Sequence, residues 1–89
     1  MLNNQIISLV GLGKMGLGVY NRLYNENLNV HGYDINHDII KNNTHINFLE
    51  IEKLLEFSDI VLFAVPSNDQ IFNIVKSNTI KNNSIFFSL

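Results

Sequence analysis

Three glycines in Gly11-Leu12-Gly13-Lys14-Met15-Gly16 stand at the G-x-G-x-x-G spacing. The chemistry open to that spacing is the gripping of a pyrophosphate. Gly11 lets the chain turn sharply. Gly13, with no Cβ, lets the backbone come close to phosphate oxygens, and Gly16 lets the next helix pack tightly on a sheet. A helix opening at this point offers unpaired N–H groups and about half a unit of positive charge to an anion. The second group is Asp34, 18 residues beyond Gly16. A carboxylate there can accept hydrogen bonds from the ribose hydroxyls of a dinucleotide. It also repels the 2′-phosphate of NADP, by about 4 kcal/mol per unit-charge pair at ~4 Å and an effective dielectric of ~20, before screening. Ile35, Asn36 and His37 supply no arginine to offset this, and the nearest lysine is Lys41. NAD is therefore expected in preference to NADP.

Those groups need elements to hold them. Ile6 to Val10 is a short, mostly apolar and β-branched run, predicting a strand buried on both faces. From Lys14 to Asn25, Met15, Val19, Tyr20, Leu23 and Tyr24 recur at helical spacings. Asn29 to Tyr33 is a second strand, with Asp34 directly after it. Asn36 can cap a short helix through Lys41, and Ile46 to Phe48 is a short third strand. Glu50 to Phe57 is a helix with Ile51, Leu54 and Leu55 on one side and Glu50, Glu52 and Glu56 on the solvated one. Ile60 to Val65 is a strand ended by Pro66, which has no N–H for a ladder. Ser67 or Asn68 can cap a helix through Ile71, Ile74 and Val75, and Ser84 to Leu89 is a last strand. Strands alternating with helices imply an α/β fold. The expected form is a Rossmann-type doubly wound parallel sheet of about five strands in the order 3-2-1-4-5. Ile85-Phe86-Phe87 would then form an apolar sheet edge, a template for self-association.

Composition excludes other classes. The 89 residues suffice for one small domain, 46% are hydrophobic, and the net charge is −2. No basic field suits nucleic acid, and no apolar run reaches the ~20 residues of a membrane span. Met1 to Gln5 shows no secretion signal. There is no cysteine, so thiol-metal and disulfide chemistry is out. His31, His37 and His45 are not at ligand spacing. A cytoplasmic location is the default expectation.

Val10-Gly11-Leu12-Gly13-Lys14-Met15-Gly16, with Leu23 later in the helix, resembles the opening of the β-hydroxyacid dehydrogenase family, which includes 3-hydroxyisobutyrate and 6-phosphogluconate dehydrogenases. Gly32-Tyr33-Asp34-Ile35-Asn36 looks like the end of the second strand in NAD-type members. Asp59-Ile60-Val61-Leu62-Phe63-Ala64-Val65-Pro66-Ser67 is similar to the family's Asp-Val-Val strand and Pro-Ser loop. The resemblance implies an NAD(P)-binding domain of an oxidoreductase. Leu12, Gly13, Lys14 and Met15 would line the pyrophosphate turn. Val65, Pro66 and Ser67 would lie along the cofactor towards its nicotinamide end. Pro66 serves equally as a strand terminator, and Met15 equally as core packing.

Two positions depart from the family: Tyr20 stands where a small residue is usual, and Ser88 where an aspartate is expected. The family's substrate-binding glycine segment, sixth strand and helical domain with its catalytic lysine have no counterpart in the 89 residues. Lys14, Lys41, Lys53, Lys76 and Lys81 match no catalytic position. The expectation is a partial dinucleotide-binding domain over residues 1–89, completed by a missing C-terminal domain or partner chain and not catalytic alone. The alternative is a non-catalytic module that senses or stores dinucleotide. A methyltransferase using S-adenosylmethionine also has a glycine turn and an acid after its second strand, but Gly16 inside the helix argues against it.

Overall fold

The computed structural model describes residues 4–89. Met1, Leu2 and Asn3, part of the N-terminal stretch read as lacking a secretion signal, lie outside them. The elements run β1 (Ile7–Val10), α1 (Lys14–Asn25), β2 (Val30–Tyr33), α2 (His37–Asn42), α3 (Ile51–Phe57), β3 (Ile60–Phe63), α4 (Asn68–Lys76) and β4 (Ile85–Ser88). All three strand pairings are parallel, and the sheet order is β2-β1-β3-β4. The doubly wound fold read from the sequence is the one observed.

One expected strand is not built. Ile46 to Phe48 contributes only an isolated parallel bridge, from Phe48 to Gly32 of β2. Tyr20 explains the irregular course. Its ring is fully buried, and its hydroxyl accepts the Asn47 N–H at 2.7 Å and donates to the His45 carbonyl at 3.2 Å. The Asn47 amide also donates to the Val30 carbonyl at 3.0 Å. A side chain thus takes backbone groups that a ladder would have used. The bulk of Tyr20 is accommodated as the centre of the cluster with Leu9, Leu12, Val30 and Ile46.

β1 is buried along its whole length, as its composition requires. One face carries Leu9 against α1. The other carries Val10, beside Val61 and Phe63 of β3 and beneath Leu54 and Leu55 of α3. Two buried serines bond each other across that second face, Ser8 to Ser58, at 2.5 Å. In α1 the buried face is Gly16 and Tyr20, flanked by Leu17, Val19 and Leu23. Met15 and Tyr24, grouped with that face by periodicity, are exposed. The helix ends in a Schellman arrangement: Leu28 N–H donates to the Leu23 carbonyl, Asn27 N–H donates to that of Tyr24, and Asn27 takes the left-handed conformation at φ 62°. β3 stops at Phe63, short of the expected Val65, because its neighbour β1 turns away at Gly11.

β4 closes one side of the described sheet. Phe86 packs edge-on against Phe63, while Ile85 and Phe87 lie on the other face and are half exposed. Its position is fixed by Asp59, whose carboxylate accepts the Ile6 N–H at 2.8 Å and pairs with the Lys81 ammonium. Ser84 Oγ, donating to the Ser58 carbonyl at 2.9 Å, holds the same turn.

The Lys81 contact and the Ile6 N–H hold the Asp59 carboxyl below its ordinary value of 3.8. A depressed acid stabilises the fold above its unfolded-state value, and the contribution fades as pH falls through the folded one. Urea unfolding midpoints should therefore drop below about pH 4, and Asp59→Asn should flatten that drop. An equally steep acid limb in the variant would place the linkage elsewhere.

Candidate functional site

The carboxyl ends of β1, β2 and β3 meet α1 and α4 around a cleft of about 630 Å3. The chain enters it from β1 through Gly11, at φ 98°, a left-handed value that disfavours side chains. A Cβ on Gly11 would fall 2.4 Å from the Ala64 carbonyl oxygen, so the turn lies flat against the end of β3. A Cβ on Gly16 would fall 1.9 Å from the Gly11 carbonyl oxygen and 3.1 Å from Ala64 Cβ. Both glycines are therefore demanded by the chain's own packing.

Gly13 differs. Its φ of −69° suits any residue, and no atom lies within 4 Å of where its Cβ would be. Neither the backbone conformation nor the packing requires a glycine there. It sits at the N-cap of α1, where it offers no capping side chain, and the first turn of that helix carries Lys14 and no acid. By contrast, the Asn36 side chain caps α2 and Ser67 caps α4, with Asp38 and Asp69 in their first turns. A lysine beside an uncapped helix N-terminus is unfavourable to the helix by itself and is offset by an anion. An open space at Gly13 beside free N–H groups fits a phosphate.

Leu12 is anchored rather than displayed. Its side chain is buried over Gly32, where a Cβ would come within 3.1 Å of it, and its N–H donates to Asp34 Oδ2 at 2.6 Å. Asp34 Oδ1 accepts the Asn36 N–H at 2.8 Å. The acid after β2 thus ties the glycine turn to the β2–α2 connection while lining the cleft.

Of the residues expected at a site, Gly11, Gly13, Asp34, Val65 and Pro66 line this one cleft. Gly16 lies beneath the turn, and Lys14 and Met15 stand exposed on the first turn of α1. Ser67 lies outside the lining; its Oγ accepts the Gln70 N–H at 3.4 Å. Val65 and Pro66 share the cleft with Asp34 and Ile35.

The lining also includes Tyr33, Ile35, Gln70, Asn73 and Ile74, which sequence reasoning did not single out. Ile35 carried a signal: a large apolar side chain in a polar loop, here 84% exposed. Burial, with Glu50, Glu52 and Asp34 nearby, pushes the Tyr33 phenol above its ordinary value, so it remains neutral. The three histidines are scattered. His31 lies in β2, His37 beside Phe48, and His45 against Tyr20 and Tyr24. Among the described residues, no group of three metal-ligating side chains forms, and no helix is long and apolar enough to cross a membrane.

Residues 1–85 match the family model of the D-isomer specific 2-hydroxyacid dehydrogenase NAD binding domain. The chain belongs to this family. Its cofactor is accordingly NAD. The chain is 29% identical over 82 residues to the glyoxylate reductase of Thermofilum pendens, spanning 90% of this chain and 24% of that protein. Its fold is similar to the D-isomer specific 2-hydroxyacid dehydrogenase of Lactobacillus delbrueckii ssp. bulgaricus in its NAD-complexed form. That likeness has a TM-score of 0.73 at 17% identity and covers 98% of this chain and 27% of that one. It is also similar to Mycobacterium tuberculosis 3-hydroxyisobutyrate dehydrogenase, with a TM-score of 0.85 at 16% identity, covering 94% and 31%. At such identities the structural likeness shows the fold alone.

An NAD-binding hydroxyacid dehydrogenase domain was the expectation, and the sequence comparisons support it while moving the branch from β-hydroxyacid to D-2-hydroxyacid enzymes. Most of the residues that suggested the first branch lie in the glycine turn, at the carboxyl end of β2 and along β3 and the loop after it, with Leu23 in α1. That region serves a dinucleotide whichever hydroxyacid is oxidised, so it discriminates poorly between branches.

The two glycines should respond oppositely to added side chains. Gly16→Ala forces α1 off the turn and should cost about 2 kcal/mol, more than the helix-propensity gain of about 1 kcal/mol. Gly13→Val should change stability by no more than about 1 kcal/mol, the scale of an N-cap change. Urea unfolding of both variants checks this; equal losses would mean that Gly13 is also a packing glycine.

Proposed function

We propose that this chain binds NAD across the carboxyl ends of its strands as the cofactor module of an oxidoreductase acting on 2-hydroxyacids or their 2-oxo counterparts. The observation that carries the reading is Gly13: a glycine that its own fold does not need, at an uncapped helix N-terminus, beside a cleft containing Asp34. The backbone N–H groups of Gly13, Lys14, Met15 and Gly16 would hold the pyrophosphate, with Gly11 and Leu12 shaping the turn. Asp34 would accept hydrogen bonds from the adenosine ribose, each oxygen keeping a second lone pair beyond its present N–H partner. Val65 and Pro66 share the cleft with Asp34 and Ile35, which supports their lying along the adenosine half instead of the nicotinamide end that the resemblance implies. NAD, when bound, supplies the hydride-accepting ring.

The substrate class rests on the family and on its glyoxylate reductase relative. A second reading, a β-hydroxyacid substrate, has only the resemblance of the Gly-Leu-Gly-Lys-Met-Gly segment and its neighbours behind it. In both, the chain's part is to bind and orient the cofactor. Substrate positioning and acid–base catalysis come from the larger share of the relatives' length, of which this chain spans 24–31%. A sensing module with no reaction of its own would share the same site.

Calorimetry should show NAD binding at least tenfold tighter than NADP, because a second anion would meet Asp34. Asp34→Asn keeps an acceptor for Leu12 N–H but removes the charge, and should narrow the gap about tenfold. Gly13→Val should lose NAD binding while remaining folded. Equal affinity for NADP, or normal NAD binding by the valine variant, would refute the assignment of these residues.

Following NADH absorbance, the 89-residue chain should show no turnover on a panel of D-2-hydroxyacids, 3-hydroxyisobutyrate and 6-phosphogluconate. Substrate positioning and a general acid–base group, the latter contributing about 10²–10⁴-fold, would come from the parts of the relatives that this chain does not span. Robust NAD-dependent turnover would mean that a catalytic group lies among residues described as structural.

A further inference from the structure

The cleft is mainly apolar, with polar side chains on opposite walls. Asp34 lies on one wall, its two oxygens already bonded to Leu12 and Asn36 N–H groups. On the other, α4 presents Gln70 and Asn73 beside Ile74. Residues three apart share a helix face, so both amides project from the flank of α4 that borders the cleft, while Phe72 stands exposed elsewhere. Several amides of this asparagine-rich chain are spent on its own backbone: Asn43 on the Ile39 carbonyl, Asn47 on that of Val30 and Asn78 on that of Ile74. Among the described residues Gln70 bonds through its backbone N–H to Ser67, and neither its amide nor that of Asn73 joins a side-chain hydrogen bond.

From this placement we infer that Gln70 and Asn73 read the hydrogen-bonding edge of the dinucleotide's purine base, making the site selective for adenine. The inference rests on the adenosine half occupying this cleft. Apolar walls such as Ile35, Val65 and Ile74 can bury the faces of any flat base and give no choice among bases. A primary amide sets a donor and an acceptor side by side, the complement of adenine's amino group and adjacent ring nitrogen. A site built to hydrogen-bond a ligand group rejects an analogue that cannot return the bond, because its own polar groups are then left unpaired.

The test compares NAD with its 1,N6-etheno derivative, which keeps both phosphates, both riboses and the nicotinamide but blocks the base edge. By calorimetry the unmodified chain should bind etheno-NAD about tenfold more weakly than NAD, the scale expected of one or two neutral hydrogen bonds. In Gln70→Leu/Asn73→Leu the two ligands should bind within about twofold of each other, with NAD falling towards the etheno value. Gln70→Ala and Asn73→Ala should each give part of the loss. Both positions are exposed, and circular-dichroism melting verifies that the variants are folded. A general change in helix packing would weaken both ligands alike and leave their ratio unchanged; that result, or no discrimination by the unmodified chain, overturns the inference while NAD binding stands. Failure of the unmodified chain to bind NAD overturns the functional reading as well.

Discussion

Three stretches of backbone meet where Gly11, Gly16 and Ala64 touch, and everything at the site follows from how closely they do so. A methyl group on Gly16 would fall 1.9 Å from the Gly11 carbonyl oxygen, and one on Gly11 would fall 2.4 Å from that of Ala64. Helix α1 meets the turn after β1 backbone to backbone, the turn meets the backbone end of β3 in the same way, and the side chain nearest Gly16 is the small Ala64 methyl. The N-terminus of α1 is therefore held at the carboxyl edge of the sheet, where its N–H groups face the cleft. Protein interiors resist small displacements because they are close-packed. A helix set against backbone in this way has little freedom to drift, which suits a site that must hold a phosphate at hydrogen-bond distance.

Asp34 adds a second constraint to that frame. Its bonds to Leu12 and Asn36 join the glycine turn to the end of β2. The carboxylate that would contact a ribose is thus also part of the scaffold that shapes the phosphate turn. Charge and structure are coupled at this residue. Asparagine removes the charge but can keep only one of the two N–H bonds, whereas truncation removes the charge and both bonds.

The branch of the family is legible only where substrate chemistry is. The Gly-Leu-Gly-Lys-Met-Gly segment and the Pro66-Ser67 loop made the chain look like a β-hydroxyacid dehydrogenase. The match over residues 1–85 places it with the D-isomer specific 2-hydroxyacid enzymes. The fold similarity to 3-hydroxyisobutyrate dehydrogenase shows why the two are easily confused. Dinucleotide binding imposes one set of glycines, one acid and one helix position, and these are the residues short motifs sample.

By itself the sequence determined whatever is encoded within one element and its flanks. The buried β1 run, the start of α1 at Lys14, the cap at Asn36, Ser67 as one of two candidate caps, the alternation that implies a parallel sheet, and Asp34 after β2 were all readable, because local spacing and propensity control them. Only the tertiary structure decided what lies across from what. It reduced the expected strand at Ile46 to Phe48 to a single bridge, because the buried Tyr20 hydroxyl competes for that segment's backbone. It moved Met15 from the packed face to solvent, and it gave Asp34 its bond to Leu12. It also brought Ile35, Pro66 and Asn73 into one cleft although they come from three separate connections and helices. No local pattern links such residues, since their meeting depends on how crossover helices return the chain to the sheet edge.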